Sequence, residues 1–382
     1  MFRAANEISA GRSSRVQIVD YYRFAAAAWV LLFHYFFSGI ASGRVTSLDY
    51  LSPVPAAIRY GYLGVDLFFL ISGFVIVQSV SGKTARSFTV GRFVRLYPAF
   101  WVAMLITASI AAFWGTGELA VTGPQVLANL TMVPTWWGEN PVDGVYWTLL
   151  FELKFYALVG LFVFFRKTAW LGTFMPLWSI GMLLVTLRAP GHAQQIDFLG
   201  GYYFLFAGGA IIASIRQSGW SPLRIAGLLA SFMGVIPLEL TKAFNQARDT
   251  VTPMPTVVTV GLIALIYGML LLTLSRRVSS WTLPGSAFVG ALTYPIYLLH
   301  ASIGYMVLNH LATNENQWLV FPCLILSMVV LAYAVHRVIE VGLKSQWYRF
   351  FDATVGRAVG AVEGWAARVR RRVRGGNLVR RG

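Results

Sequence analysis

An arginine and a histidine inside one apolar run are the first residues of this chain that could do chemistry. The run extends from Ile18 to Phe37 and holds Arg23 and His34. An arginine in a bilayer-length segment costs about 2.5–3.5 kcal/mol on insertion scales, so its retention points to function. The two are eleven residues apart, which at ~100° per residue returns to within about 20° of the same helix face. The rise between them is about 16 Å, half of a hydrocarbon core. One stripe thus carries a fixed cation and, well across, a titratable imidazole.

Three more ionisable residues lie in apolar stretches: Asp66 within Gly61–Phe74, Glu152 within Tyr146–Tyr156, and His300 within Leu292–His300. Isolated burial would neutralise or expel each of them, so a shared polar cavity is the economical arrangement. An imidazole paired with a carboxylate there would serve as a general base. Each has a plainer reading too. Asp66 only hydrogen-bonds His34 or a neighbouring helix, Glu152 caps or pairs with Lys154 or an arginine, and His300 is structural.

A second constellation is Arg92-x-x-Arg95-x-x-Pro98, with Lys83 and Arg86 upstream. Pro98 suits the first turn of a helix, so the arginines would flank a helix N-terminus and could clamp the phosphates of a soluble donor. The plainer reading is charge that fixes topology. Gly61, Gly64 and Gly73 allow close helix approach, and Gly64 with Ser72 and Gly73 could line a narrow path.

The elements that must position these residues are set by composition. The 382 residues are 57% hydrophobic and only 12% charged, about half the charge of a soluble domain. Most of the chain must therefore face lipid or other apolar helices. The net charge of +16 is not gathered on a soluble face, and nucleic acid is a poor partner for it. Cys323 is the only cysteine, which excludes an internal disulfide framework or a cysteine metal site, and no metal is expected. The first apolar run is long and carries Arg23, so it reads as a span rather than a cleaved leader.

Apolar windows give about ten spans, near 18–40, 60–80, 96–114, 146–165, 169–187, 198–214, 224–241, 255–274, 287–310 and 318–339. With the N-terminus inside, the inner segments hold Arg3, Arg12 and Arg15, the Lys83–Arg95 group, Arg166, Lys167, Arg216, Arg224, Arg276 and Arg277. The tail adds Arg337, Lys344, Arg349, Arg357 and the cluster from Arg368 to Arg381, whereas the 115–145 segment has no Lys or Arg. The positive-inside rule therefore favours an even count with both termini cytoplasmic. On that topology His34, Asp66, Glu152 and His300 all fall in the outer half. The expected fold is all-α and polytopic: a membrane domain over 1–345, then a basic, amphipathic, interfacial helix over 346–382.

In order and spacing these pieces resemble the membrane acyltransferase family 3, the polytopic acyltransferases that modify surface polysaccharides. The resemblance rests on Arg23 and His34, on Gly64-Val65-Asp66-Leu67-Phe68-Phe69-Leu70-Ile71-Ser72-Gly73-Phe74, and on Arg92-x-x-Arg95-x-x-Pro98. Trp147-Thr148-Leu149-x-x-Glu152-x-x-Phe155-Tyr156 and Tyr294-x-Ile296-Tyr297-Leu298-x-His300 complete it, over roughly 16–345. It implies an acyl-coenzyme A donor, usually acetyl-CoA, on the cytoplasmic side of a bacterial inner membrane. The implied acceptor is a hydroxyl of an extracytoplasmic or lipid-linked glycan. It also implies that Arg23 and His34 are essential and that Arg92 and Arg95 serve the donor. Two departures bear on this. Glu340 is followed by Val341-Gly342 instead of the family's Glu-Lys-Pro-like ending, so Glu340 receives no role. No fused esterase-like domain is expected either, so polysaccharide-assembly proteins are candidate partners beside membrane lipids.

The expected reaction is O-acyl transfer. Arg92 and Arg95 hold the donor, Arg23 marks the channel entrance, and His34, oriented by Asp66 or Glu152, takes the hydroxyl proton. Trp147, Tyr146 and His300 are expected beside the acceptor. The main alternative is a proton-coupled transporter of a polysaccharide precursor or small metabolite, using the same ionisable groups as a relay. A scaffold of a polysaccharide-export complex, leaning on Trp136 and Trp137, is a third reading.

Overall fold

Long apolar runs broken by short polar segments leave the backbone one solution in lipid, the α-helix. The computed structural model describes residues 15–49, 57–189, 201–250 and 252–379, with side chains to 369. Arg3, Arg12 and the Arg side chains beyond Arg368 lie outside the described residues. Among those described there is no strand. The longer helices are α1 (Ile18–Phe33), α2 (Leu63–Ser79), α3 (Ala85–Trp114), α4 (Trp147–Phe164) and α5 (Leu171–Arg188). They continue as α6 (Tyr203–Ser218), α7 (Pro222–Thr250), α8 (Thr256–Leu271), α9 (Ser286–Leu311) and α10 (Gln317–Val335). The tail adds α11 (Lys344–Phe351) and α12 (Arg357–Val379). The chain is an all-α polytopic membrane protein. Among the described residues, eight helical stretches are long and apolar enough to cross a membrane, while α2 and α6 have only 17 and 16 residues.

The helices cluster into two units. The first comprises Met1–Val30, Tyr60–Ser79 and Gly172–Thr293. Its centre is α6, which is apolar on every side and buried from Tyr203 to Ile215, as a helix enclosed by other helices must be. It lies backbone to backbone against α2. A Cβ on Gly209 would stand 1.8 Å from the Leu70 carbonyl oxygen, and one on Gly73 would stand 2.0 Å from that of Phe206. Close packing therefore accounts for Gly73 without any path along the helix.

The second unit comprises Leu31–Arg59, Val80–Leu171 and Tyr294–Gly382. Its axis is α3, whose 30 residues span about 45 Å. This helix begins eleven residues before the expected 96, because Thr84 and Ser87 form a capping box at its start. Arg92 and Arg95 are consequently inside the helix rather than at its N-terminus, and Pro98 lies in its interior, not its first turn.

The 115–145 segment also departs from expectation. It does not stay beyond the end of α3 but folds back along it. The Thr131 carbonyl accepts from Tyr97 Oη at 3.1 Å, and the Leu130 carbonyl accepts from Trp101 Nε1 at 2.9 Å. Trp101 is thirteen residues short of Trp114, so the segment returns about 20 Å along the helix. Asn129 ties it together: its Nδ2 donates to the Gln125 and Asn140 carbonyls, and its Oδ1 accepts from Val142 N. Irregular backbone at such depth is tolerated only inside protein, and Asn129 and Asp143 are fully buried.

The tail packs on the other half of α3. Arg86 holds Asp352 through two bonds of 2.8 and 2.7 Å, and Phe351 is buried against Phe93, Tyr97 and Trp101.

Candidate active site

The second unit brings two histidines together. His34 opens a π turn, His34–Ser38, that continues α1, and its Nδ1 lies 2.9 Å from Nε2 of His300 on α9. His300 is fully buried, and its Nδ1 is 2.8 Å from the Tyr297 carbonyl. A carbonyl oxygen can only accept, so His300 Nδ1 carries a proton. The neutral ring then presents the Nε2 lone pair to His34, whose Nδ1 must be the donor. This leaves the His34 lone pair on Nε2, the nitrogen directed away from His300. Fixing one tautomer through the other ring nitrogen is how a base is oriented.

His300 is held from several sides. Tyr35 Oη donates to its carbonyl at 2.9 Å, and Gly304 admits the Tyr35 ring where a Cβ would meet it at 2.2 Å. The folded-back segment grips the same stretch of α9. Tyr146 Oη donates to the Leu298 carbonyl at 3.1 Å, and Asp143 Oδ2 accepts from Ser302 N at 2.8 Å. Tyr297 Oη meets Thr148 Oγ1 at 2.8 Å and donates to the Val145 carbonyl at 3.0 Å. Of the residues expected beside an acceptor, Tyr146 is thus a buried clasp, while Trp147 is exposed with its ring against Phe151.

A charged cluster forms a second layer. Tyr294 Oη donates to the Leu96 carbonyl, and the Arg95 guanidinium lies 5.2 Å over the Tyr294 ring. His300 is six residues further along α9, so the histidine pair stands about 9 Å beyond this turn. Arg92 sits between the rings of Phe88 and Tyr156, at 5.7 and 5.6 Å, with its buried Nε lacking a hydrogen-bond partner among the described residues. Arg95 is bound by Glu340 at 2.9 Å and Arg86 by Asp352. Burial and the neighbouring Arg92 charge push the Lys83 amine below its ordinary value. This edge of the unit therefore holds positive charge suited to an anion.

Of the four groups expected to share one level, His34 and His300 meet, while Glu152 stands at another level of the same unit. Tyr156 Oη donates to Glu152, and Glu152 lies with Arg95, Glu340 and Tyr156 around Tyr294. The reason is the folded-back segment, which starts α4 partway along α3 and carries Glu152 to the arginine level. Asp66 belongs to the first unit, buried, with Lys242 Nζ at 3.8 Å and Glu239 beside it. Lys242 binds Glu239 at 2.5 Å and covers the Tyr202 ring at 4.2 Å. Arg23 is half-buried in the same unit, on the helix that continues into His34. Glu239 and Lys242 are not among the expected site residues, although their i,i+3 spacing at the end of an apolar stretch is a signal.

Among known proteins, a family model described as an acyltransferase domain matches residues 16–337. The chain is 27% identical over 251 residues to exopolysaccharide production protein ExoZ of Rhizobium meliloti (strain 1021), covering 63% of this chain and 75% of that one. It is 34% identical over 114 residues to nodulation protein 10 of Rhizobium leguminosarum bv. viciae, covering 24% of this chain and 30% of that one. With peptidoglycan O-acetyltransferase OatA of Listeria monocytogenes it shares 25% over 118 residues, covering 26% of this chain and 19% of that one. No solved structure matches.

Proposed function

The chain belongs to the acyltransferase-3 family, and on that premise we propose that it is a membrane O-acetyltransferase of a surface glycan. The donor is acetyl-CoA at the cytoplasmic face of a bacterial inner membrane, and the acceptor is a hydroxyl of an extracytoplasmic or lipid-linked saccharide. Relatives named for exopolysaccharide production and peptidoglycan O-acetylation support that substrate class.

Arg92 and Arg95 bind donor phosphates, with Lys83 adding charge. Arg23 is a second essential cation, on the helix that continues into His34, and the pantetheine arm covers the distance from Arg92 and Arg95 to the histidines. His34 Nε2 takes the proton of the acceptor hydroxyl as its oxygen attacks the thioester carbonyl. The carbon–sulfur bond breaks, and the thiolate leaves with the proton returned by the His34 imidazolium. His300 is a positioning residue that holds the His34 tautomer. Glu152 orients Tyr156 beneath Arg92, and Asp66 belongs to an ion cluster with Lys242.

The observation that carries this reading is the chain of contacts from the Tyr297 carbonyl through His300 to His34. The test is acetyl transfer by purified protein in lipid nanodiscs with radiolabelled acetyl-CoA and the host's surface polysaccharide. Activity of folded His34→Ala equal to that of the wild type would remove His34 from the mechanism. A proton-coupled transporter would instead move protons without consuming acetyl-CoA.

A further inference from the structure

Glu340 takes part in none of these steps, yet its carboxylate is divided between two partners. Oε1 accepts from Arg95 Nη1 at 2.9 Å, and Oε2 faces His336 Nδ1 at 2.7 Å. Both acid and histidine lie in the π turn His336–Gly342 that follows α10, a wide turn often found at functional sites. The Arg95 side chain remains 31% exposed while that of Glu340 is 11% exposed. Of the two partners, Arg95 is therefore the more exposed and Glu340 the more enclosed. Arg92, three residues earlier, has no such acid among its described contacts.

A phosphate and a carboxylate on one guanidinium repel each other, and more strongly where water is scarce. A polyanion that takes Arg95 must loosen Oε1 of Glu340. The carboxylate does not then become an isolated buried charge, which would be costly, because His336 already holds its other oxygen. When the polyanion departs, the same carboxylate refills the vacated edge of Arg95. Two arginines on one polyphosphate bind tightly in a low-dielectric site, and release of product limits turnover in many enzymes.

We propose that Glu340 competes with donor phosphate for Arg95, with His336 receiving the displaced carboxylate, and so sets the rate at which spent coenzyme A leaves. This inference rests on the reading of Arg92 and Arg95 as the donor site. It identifies a turnover-determining residue that is not itself a catalytic residue.

The test is binding of coenzyme A to the full chain in nanodiscs, with the dissociation rate followed by chase. Titration stoichiometry gives the folded fraction separately from Kd. Glu340→Gln is expected to bind about tenfold more tightly, with slower dissociation and a saturated transfer rate that falls with it. Glu340→Asp, too short to reach Arg95 well, is expected to change in the same direction. His336→Leu is expected to bind severalfold more weakly, because the whole carboxylate charge then rests on Arg95. Unchanged or weaker binding by both Glu340 variants, or tighter binding by His336→Leu, would overturn the proposal. Arg95→Gln separates the two layers of argument. Wild-type affinity in that variant would overturn the donor-site reading itself, whereas weak binding there with no gain in Glu340→Gln would overturn only the role of Glu340.

Discussion

The two units each bury a set of ionisable groups, and they treat them in opposite ways. In the first, Asp66, Glu239 and Lys242 face one another at 2.5 and 3.8 Å, so charge answers charge within the cluster. In the second, His34 and His300 meet as two imidazoles, with a backbone carbonyl fixing the proton on the inner one. A closed ion cluster specifies packing, because breaking it strands a charge in a poor solvent. A chain of neutral donors and acceptors specifies a direction for a proton. The second arrangement is the one that can perform general base catalysis.

This contrast breaks first if His34 is dispensable. His34→Ala should lower acetyl transfer at least about 10³-fold, with donor binding retained, as measured by single-turnover kinetics and coenzyme A titration. His300→Asn should lower kcat by about 10–100-fold with an unchanged KM for acetyl-CoA. A purely structural His300 would leave the kcat–pH profile unmoved, whereas loss of the fixed tautomer should shift it. Lys242→Met sharpens the comparison from the other side. It should destabilise the protein by about 3–5 kcal/mol in thermal unfolding, while folded protein keeps a normal kcat.

The smallest effect concerns the tail. Hydrogen bonding to Arg86 holds the Asp352 carboxyl below its ordinary value. The contact therefore contributes fully above the free carboxyl's range near ~3.9, and its contribution is lost as pH falls through the lower docked value. Acid pH, or Asp352→Asn at neutral pH, should raise protease cleavage in 352–379, and Asp352→Asn should leave acetyl transfer at neutral pH within about twofold.

Helix positions were largely legible, because apolar runs of bilayer length leave little choice. Among the described residues, each of the ten expected spans overlaps a helix. The start of α3 was hidden because Arg86, Arg92 and Arg95 interrupt the apolar pattern, although the Thr84–Ser87 spacing marks a cap. The pairing of His34 with His300 was only half legible: both residues were singled out, but the expected partner was a carboxylate. No local pattern shows that Leu130 and Thr131 will meet Trp101 and Tyr97 about thirty residues away. That one contact set the level of Glu152 and moved it from the histidines to the arginines. The Arg95–Glu340 bond was illegible for the same reason, since 245 residues separate its partners.

The segment that returns along α3 also has a consequence for biogenesis. Its irregular backbone can leave water only once α3 and α9 stand ready to receive its polar groups, and α9 is synthesised more than a hundred residues later. Asp143 and Tyr146 therefore find Ser302 and Leu298 only after nearly all of the chain has left the ribosome. A nascent or truncated chain that stops short of α9 lacks the grip that holds His300 in place.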